Sequence, residues 1–303
     1  GMKLKDILNV LEHHAPLAYQ ESYDNSGLLV GNDEDEIEGA LLCIDCTPEV
    51  IEEALAKKAN LVICHHPIIF TGLKRLTGRN YVERTIVSAI RNKIAIYACH
   101  TNLDNVFHGV SKKMADKMGL EDCRILAPKT GALKKLVTFC PDAKCDEVRA
   151  SMFKAGAGHI GDYDSCSFSV SGHGTFRGGE GTNPYVGNVG EMHIEAENRI
   201  EVIFPAYLQQ NIIHALVAAH PYEEVAYDIY SLDNDHPGVG SGMIGKLKEP
   251  LDFAAFLNDI KNTFKCQAIR YTEKIKKKVS TVALCGGSGS FLLPQAIDQG
   301  ADV

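Results

Sequence analysis

Short, continuous apolar runs alternate with amphipathic stretches along the first third of the chain. The runs at 40–46, 61–64 and 94–99 are dominated by apolar residues, whereas apolar residues within 4–11 recur at helical spacing. Continuous runs that are separated by helical patterns are typical of buried strands in a parallel sheet with helices on both faces. The pattern therefore predicts an α/β fold built by repeated β-α-β winding.

Residues after the run at 40–46 predict where the next helix begins. Thr47 suits the N-cap, Pro48 suits the first helical position, and Glu49 places an acid in the first turn. Further helical patterns lie at 82–91 and 110–118, so the strands and helices continue to alternate.

The pattern changes from about residue 133. Strands are predicted at 136–140, 163–170, 199–204 and 225–230, helices at 146–155 and 208–220, and a glycine-rich stretch at 172–190. This β-α-β-β-α-β order is the ferredoxin-like arrangement. We therefore predict an inserted ferredoxin-like α+β domain over residues 128–239. Residues 1–127 and 240–303 would form the α/β domain, with a mostly parallel buried sheet that resumes through a helix at 253–264 and a strand at 279–285.

Polar side chains follow two of the predicted buried strands. His65 and His66 come directly after the run at 61–64, and the next run leads into His100 and Asp104. Because loops that leave neighbouring parallel strands converge at one edge of a sheet, we expect these four side chains to lie close together. Imidazole and carboxylate groups are common metal ligands, so the sequence predicts a metal site at this edge.

The adjacent histidines pose a geometric problem. Neighbouring residues of a regular strand point to opposite faces, so His65 and His66 could share one ion only if the backbone bends there. Two ions remove the difficulty if each histidine serves its own metal and Asp104 bridges them, as in two-metal hydrolytic sites. A histidine pair in a solvated loop or a core is the alternative, which the second polar cluster at His100 disfavours.

Composition and charge exclude several classes of protein. The chain has 303 residues and a net charge of −8, which disfavours a dedicated nucleic-acid binder. Its basic run, Lys274–Lys278, is interpreted as a solvated turn before the last strand. Ten cysteines are scattered, several of them in apolar runs, which is typical of a reduced compartment. Because no apolar stretch is long enough to span a bilayer, we expect a cytoplasmic protein without a membrane partner.

A glycine-rich turn follows the predicted strand at 279–285. The segment Gly286-Gly287-Ser288-Gly289-Ser290 could cradle a phosphate at the start of the next helix. Glycines also permit close packing of a strand against a helix without any anion. The pattern alone leaves both interpretations open.

Five motifs together carry a resemblance to a known family. In chain order they are Glu21–Gly31, Cys64–Pro67, His100–Asp104, His220–Glu224 and Gly286–Ser290. They resemble the successive signatures of the Nif-three-like family, whose members are commonly named GTP cyclohydrolase I type 2 homologues. The resemblance spans almost the whole chain and is closest to the longer bacterial form, which carries an inserted domain.

The resemblance implies a dinuclear divalent-metal site in a cleft of the α/β domain. By matching position, His65 and His66 would each bind one metal, Asp104 would be a ligand, and His100 would be a nearby site residue. Zinc or iron is our first expectation, and manganese, nickel or cobalt also suit these ligands. The family also implies a toroidal homohexamer, and an insert similar to trimeric signalling and copper-tolerance proteins.

Family members continue past the motif that Gly300–Val303 matches, into strands that carry a last His and Glu ligand. We therefore expect that this chain lacks that segment, and full occupancy by two metals would depend on it.

Four other polar residues could line the site. Glu21 and Asp24 precede the first strand of the resemblance, where capping of a turn or helix is the alternative role. His220 and Glu223 follow a predicted helix, where they could face the cleft or simply form a structural turn.

Two functions follow from these expectations. The first is a metal-dependent hydrolase that uses metal-activated water on a nucleotide or a related small molecule. For a GTP cyclohydrolase, hydroxide would open the purine imidazole ring with loss of formate. The alternative is a metal-binding scaffold or regulatory adaptor with little turnover.

Overall fold

A computed structural model describes residues 1–273 and 277–303, so residues 274–276 of the predicted basic turn lie outside the described residues. The strands are β1 (Met2–Lys3), β2 (Gly27–Val30), β3 (Glu36–Ile37), β4 (Ala40–Asp45), β5 (Leu61–His66), β6 (Ala95–Ala98), β7 (Leu120–Pro128), β8 (Leu133–Pro141), β9 (Phe168–Arg177), β10 (Met192–Pro205), β11 (Tyr227–Ser231), β12 (Gly240–Leu251) and β13 (Val279–Leu284). The helices are α1 (Leu4–His14), α2 (Pro48–Ala56), α3 (Tyr81–Arg91), α4 (Thr101–Asp104), α5 (Val110–Lys117), α6 (Cys145–Lys154), α7 (Gln209–Ala219), α8 (Phe253–Thr263) and α9 (Leu293–Asp298).

The chain folds into two compact units. The first combines Gly1–Pro128 with Pro237–Val303, and the second is Lys129–His236. Each has its own apolar core. No helix in the described ranges has both the length and the apolar character needed to cross a bilayer.

The first unit contains the predicted parallel sheet. Its strand order is β2-β6-β5-β4, in which β4, β5 and β6 run parallel and β2 is antiparallel to β6. Alternate residues of the central strands serve opposite faces: Val62 packs in the core with helices α2 and α3, whereas Leu61 packs in the core with α1. The prediction of buried strands with helices on both faces is confirmed for β5 and β6.

The prediction that the sheet is mostly parallel throughout this unit is wrong. Strand β13 belongs to a separate sheet, of order β13-β12-β7, and all of its pairs are antiparallel. A continuous apolar run shows that a strand is buried but does not encode its direction. The long strand β12 pairs with both neighbours and determines the arrangement.

The predicted start of α2 is confirmed. The Thr47 hydroxyl accepts a hydrogen bond from the backbone N–H of Val50 at 3.3 Å, and Pro48 occupies the first helical turn. The helix then buries Ile51 and Ala54 against the parallel sheet.

The second unit has one antiparallel sheet, of order β11-β8-β10-β9. Helices α6 and α7 share its core with alternate residues of β10, including Ile200 and Phe204. The predicted strand at 163–170 and the loop at 172–190 are wrong in part, because β9 continues to Arg177. Gly172 and Gly174 suggested a loop, yet both lie in the extended strand.

Candidate metal centre

Three neighbouring parallel strands end at the predicted edge of the first unit. Strand β5 ends at His65 and His66, and β4 ends at Asp45, which is paired with His66 in register. Strand β6 is followed by Cys99, whose N–H donates to the Cys64 carbonyl at 2.9 Å, and then by His100 at the start of α4. The parallel arrangement thus delivers these polar side chains to one place.

The three histidines form a nearly equilateral triangle. The ring centroids of His65 and His66 lie 5.1 Å apart, and those of His100 lie 5.1 and 5.3 Å from them. One nitrogen from each ring lies within 4.8 Å of the others. Tetrahedral zinc would need nitrogens roughly 3.4 Å apart, so modest side-chain rotation would bring the three rings onto one ion. The cluster could therefore hold a metal ion.

An oxygen acceptor holds the Nδ1 atom of every ring in the triangle. The distances are 2.8 Å from His65 to the Cys99 carbonyl, 2.7 Å from His66 to Asp45 Oδ1, and 2.9 Å from His100 to Asp24 Oδ1. An acceptor at Nδ1 places the proton there and leaves the Nε2 lone pair free to bind a metal. The hydrogen bonds at Nδ1 thus favour the tautomer in which Nε2 can bind a metal.

Asp24 links His100 to the residues around it through several hydrogen bonds. Its side chain is fully buried and also accepts hydrogen bonds from the Thr101 backbone at 2.9 Å, from the Thr101 hydroxyl and from the Ser26 hydroxyl at 3.0 Å. Burial by itself would raise the pKa of Asp24, but the hydrogen bonds from Thr101 and His100 outweigh it and lower the pKa to about 2. Asp24 is therefore ionised and fixes the orientation of His100.

Asp104 lies beside the triangle. Its Oδ1 is 3.7 Å from His65 Nε2. Burial raises the pKa of Asp104, although the nearby His65 and His100 act in the opposite direction. A bound divalent cation would favour the charged carboxylate. Asp104 thus offers an oxygen donor next to the imidazole nitrogens.

The other residues predicted from sequence have different surroundings. Glu21 supports α4: its carboxylate accepts from Asn105 Nδ2 at 3.0 Å, and its N–H donates to the Thr101 hydroxyl. His220 and Glu223 belong to the second unit. His220 Nε2 donates to the Phe139 carbonyl at 2.7 Å, and Glu223 accepts from a backbone N–H at 2.9 Å.

Sequence reasoning missed Asp45. The signal was present, because Asp45 ends a buried run that lies beside the run leading to His65 and His66. The apolar run at 40–46 predicts a strand with Asp45 in its interior, whereas β4 ends at Asp45. The rule that identified the histidines applies equally to this carboxylate.

The glycine-rich turn after β13 packs closely against α5. A side-chain carbon at Gly286 would stand 2.8 Å from Val110 Cγ1, so a larger residue there would force Val110 to move. Burial raises the pKa of the adjacent Cys285 thiol, and the charge of Asp104 adds to this effect. The turn therefore lies within electrostatic reach of the candidate metal centre.

Comparison with known proteins identifies the family of the chain. The family model described as Duf34/NIF3 (NGG1p interacting factor 3) matches residues 2–303. The chain belongs to the DUF34/NIF3 family. The recognition made from the five sequence motifs is therefore confirmed.

Two curated relatives show how far the similarity extends. A protein of Halalkalibacterium halodurans named GTP cyclohydrolase 1 type 2 homolog is 38% identical over 298 residues, which cover 98% of this chain and 80% of that protein. The Bacillus subtilis protein of the same name is 36% identical over 300 residues, with 99% and 80% coverage.

Solved structures give the same result. The Bacillus cereus protein related to NIF3 is 39% identical, with a TM-score of 0.85, covering 99% of this chain and 81% of its own. The Staphylococcus aureus protein SA1388 is 30% identical, with a TM-score of 0.75 and coverage of 99% and 80%. The mixed α/β architecture described above is thus similar to that of solved NIF3 structures.

Proposed function

We propose that this NIF3 protein is a divalent-metal-dependent hydrolase that acts on a nucleotide or a related small molecule. One observation carries the proposal: three imidazoles converge at a strand edge, and each is already anchored through Nδ1. Histidines that served only the core or a solvated loop would not need three separate acceptors that leave their Nε2 atoms facing one another.

The donor set fits a transition-metal cation. His65, His66 and His100 offer imidazole nitrogens and Asp104 offers a carboxylate oxygen, a combination that suits zinc or iron, and also manganese, nickel or cobalt. We propose that each chain would hold two ions, with His65 and His66 as ligands of different ions and Asp104 as a further ligand. The Asp104 carboxylate lies 3.7 Å from His65 Nε2, so these two residues could share one ion.

Some residues of the centre would bind metal, and others orient the histidine rings. Metal ions held here would supply Lewis acidity, both to a water molecule and to the electrophilic atom of the substrate. Asp24 and Asp45 hold His100 and His66 in place, and the Cys99 carbonyl does the same for His65. His66 remains half-exposed, which leaves an open side for a substrate.

Aromatic groups support a planar substrate. The exposed rings of Tyr23 and Phe70 lie 6.5 Å apart. Tyr23 directly precedes Asp24, which accepts a hydrogen bond from His100, so this aromatic pair lies beside the centre. A purine could stack there. The name shared by the curated relatives makes GTP the first substrate to test.

We also propose that the second unit is an inserted ferredoxin-like domain, with boundaries near residues 128 and 239. Its β8-α6-β9-β10-α7-β11 order and its antiparallel sheet support this assignment. For the whole protein we propose a toroidal homohexamer. The exposed apolar side chains of Leu42 and Ile44 on edge strand β4 support assembly, because they offer apolar surface that a partner could bury.

Metal content and turnover on the same preparations test the main proposal. We expect about two metals per chain by elemental analysis, together with formate release from GTP. His65→Ala, His66→Ala and Asp104→Ala should lose both metal and turnover. His13→Ala, which removes an exposed histidine of α1, is the matched control and should lose neither.

Other outcomes separate the alternatives. Bound metal without turnover on GTP or other nucleotides would favour a metal-binding scaffold or adaptor. Full metal content in the His65→Ala and His66→Ala variants would refute the site itself.

A further inference from the structure

The second unit contains a cavity that the proposed hydrolase does not use. Its volume is about 640 Å³, within the range of small-molecule sites. It is open to solvent on one side and is lined by strands β9 and β10, the loop between them, the segment after α7 and Phe139 of β8. Side chains alternate along β10, so Glu197 and Arg199 face this cavity whereas Ile200 faces the helices.

Glu197 lies in this cavity with only 8% of its surface exposed. It is paired across the sheet with Gly172. A side-chain carbon at Gly174 would stand 1.7 Å from Glu197 Oε1, whereas one at Gly172 would meet no atom within 4 Å. Gly174 therefore leaves room for the Glu197 carboxylate, and Gly172 leaves open space beside it.

Glu197 differs from the acids on either side of it. Glu195 pairs with His193 at 2.5 Å, and Glu201 pairs with Arg199 at 3.0 Å. Among the described residues, no cationic nitrogen lies within 4.0 Å of the Glu197 carboxylate, although Arg199 lines the same cavity. A buried carboxylate without a cationic partner is unfavourable, which favours a ligand that supplies the positive charge.

A tyrosine hydroxyl is buried beside this carboxylate. The Tyr222 hydroxyl makes no hydrogen bond of ordinary distance and angle within the described part of the chain. Burial raises the pKa of Tyr222, and the charge of Glu197 and its contact with the hydroxyl add to this effect. His220 fixes this segment, since its Nδ1 accepts from the Tyr222 N–H at 3.1 Å. The cavity therefore presents a buried carboxylate and a buried hydroxyl side by side.

Aromatic rings form the wall beside these polar groups. The ring centroid of Tyr222 lies 5.9 Å from that of Phe176 and 6.1 Å from that of Tyr185. Glu223 accepts a hydrogen bond from the Asn183 N–H at 2.9 Å, which ties the loop that carries Tyr185 to the segment that carries Tyr222. Aromatic faces beside a carboxylate are the usual surroundings of an organic cation.

We propose that this cavity is a binding site for an organic cation, a primary ammonium carried on an apolar or aromatic group. The ammonium would pair with Glu197 and donate to the Tyr222 hydroxyl, and the apolar part would lie against Phe176 and Tyr185. A calcium or magnesium ion fits poorly, because such ions require six or more oxygen ligands. The proposal rests on the second unit alone and does not depend on the metal centre.

Calorimetric titration of the full chain tests the proposal with two matched probes. The 2-phenylethylammonium ion should bind at least about tenfold more tightly than the neutral 2-phenylethanol, because only the ammonium compensates the buried charge. Glu197→Gln should abolish that preference, Tyr222→Phe should weaken it, and Gly172→Val should block both probes by filling the open space.

Thermal unfolding of the unliganded protein gives an independent readout. Glu197→Gln should unfold at the same or a higher temperature than the wild type, since it replaces a buried carboxylate that has no cationic partner among the described residues. Equal affinity for the two probes, no binding of the ammonium, or a clear loss of thermal stability in Glu197→Gln would each overturn the proposal.

Discussion

A neutral imidazole binds a metal through Nε2 when its proton is on Nδ1, and a hydrogen-bond acceptor at Nδ1 favours that tautomer. Three different acceptors occupy this position in the candidate metal centre. Asp45 is the most exposed of them, with 67% of its side chain accessible. Because Asp45 contributes little to the core, its contribution to metal binding can be separated from any effect on folding.

Asp45→Ala should weaken metal binding by about 10- to 100-fold, because His66 loses the group that orients it. Asp45→Asn keeps an oxygen acceptor and should fall between the wild type and Asp45→Ala. Competition against a chromogenic chelator measures the affinity. Asp116→Ala, on the exposed face of α5, is the control. Equal affinities of the Asp45→Ala and Asp116→Ala variants would show that Asp45 does not orient a ligand.

His220 links stability to pH. Burial lowers the pKa of His220, and the ring is held neutral between the Phe139 carbonyl and the Tyr222 N–H. Below about pH 6.5 the unfolded chain binds a proton that the folded ring resists, so stability should decrease as the pH falls through this window. His236, whose pKa burial also lowers, acts in the same direction.

His220→Gln should therefore reduce the loss of stability between pH 7.5 and pH 5.5, because this side chain does not titrate. Urea unfolding midpoints at the two pH values measure the effect, and His13→Gln serves as the exposed control. An unchanged pH dependence in His220→Gln would mean that this residue is not the source.

At the scale of residues, the sequence predicts that the histidines of the candidate metal centre lie at one sheet edge, as they do, but it does not predict their orientation. His65, His66 and His100 follow buried runs, and this position requires only the order of the chain. The contacts of Asp24 with His100 and Thr101 depend on how the segment before β2 packs against α4. No local sequence pattern specifies the path of this segment.

At the scale of elements, helix ends were the most predictable features. Thr47 and Pro48 define the start of α2 through hydrogen bonding within four residues, so sequence neighbours contain all the information. Strand direction is different, because the paired residues of β12 and β13 are 28 to 41 positions apart in the chain, and the apolar run of β13 is equally compatible with a parallel partner.

Thr47→Ala should lower the free energy of unfolding by about 1 kcal/mol, since the N–H of Val50 loses its acceptor. Thr47→Ser keeps the hydroxyl and should remain close to the wild type. Chemical denaturation measures both variants. A similar loss in the two would assign the effect to the methyl group rather than to the cap.

At the scale of the whole molecule, the two units have separate cores. Leu61 is fully buried in a core of the first unit, and Leu216 is fully buried in that of the second. The change of pattern near residue 133 predicts a separate domain, because such a prediction depends on the order of the strands and helices rather than on any single contact.

We expect calorimetry to resolve two unfolding transitions. Leu61→Ala should lower one and Leu216→Ala the other, each by about 2–5 kcal/mol of unfolding free energy. Added zinc should raise only the transition that Leu61→Ala lowers, since a ligand stabilises the part that binds it. A single transition that both variants and zinc shift equally would contradict this expectation.

Because Asp45 is paired with His66, the metal affinity of the centre depends on the register of β4 and β5. Side chains alternate along a strand, so a slip of one residue between β4 and β5 would turn Asp45 to the other face. The sheet could retain most of its hydrogen bonds after such a slip, yet His66 would lose its acceptor. A single-residue insertion or deletion in β4 would therefore reduce metal affinity in a protein that still folds.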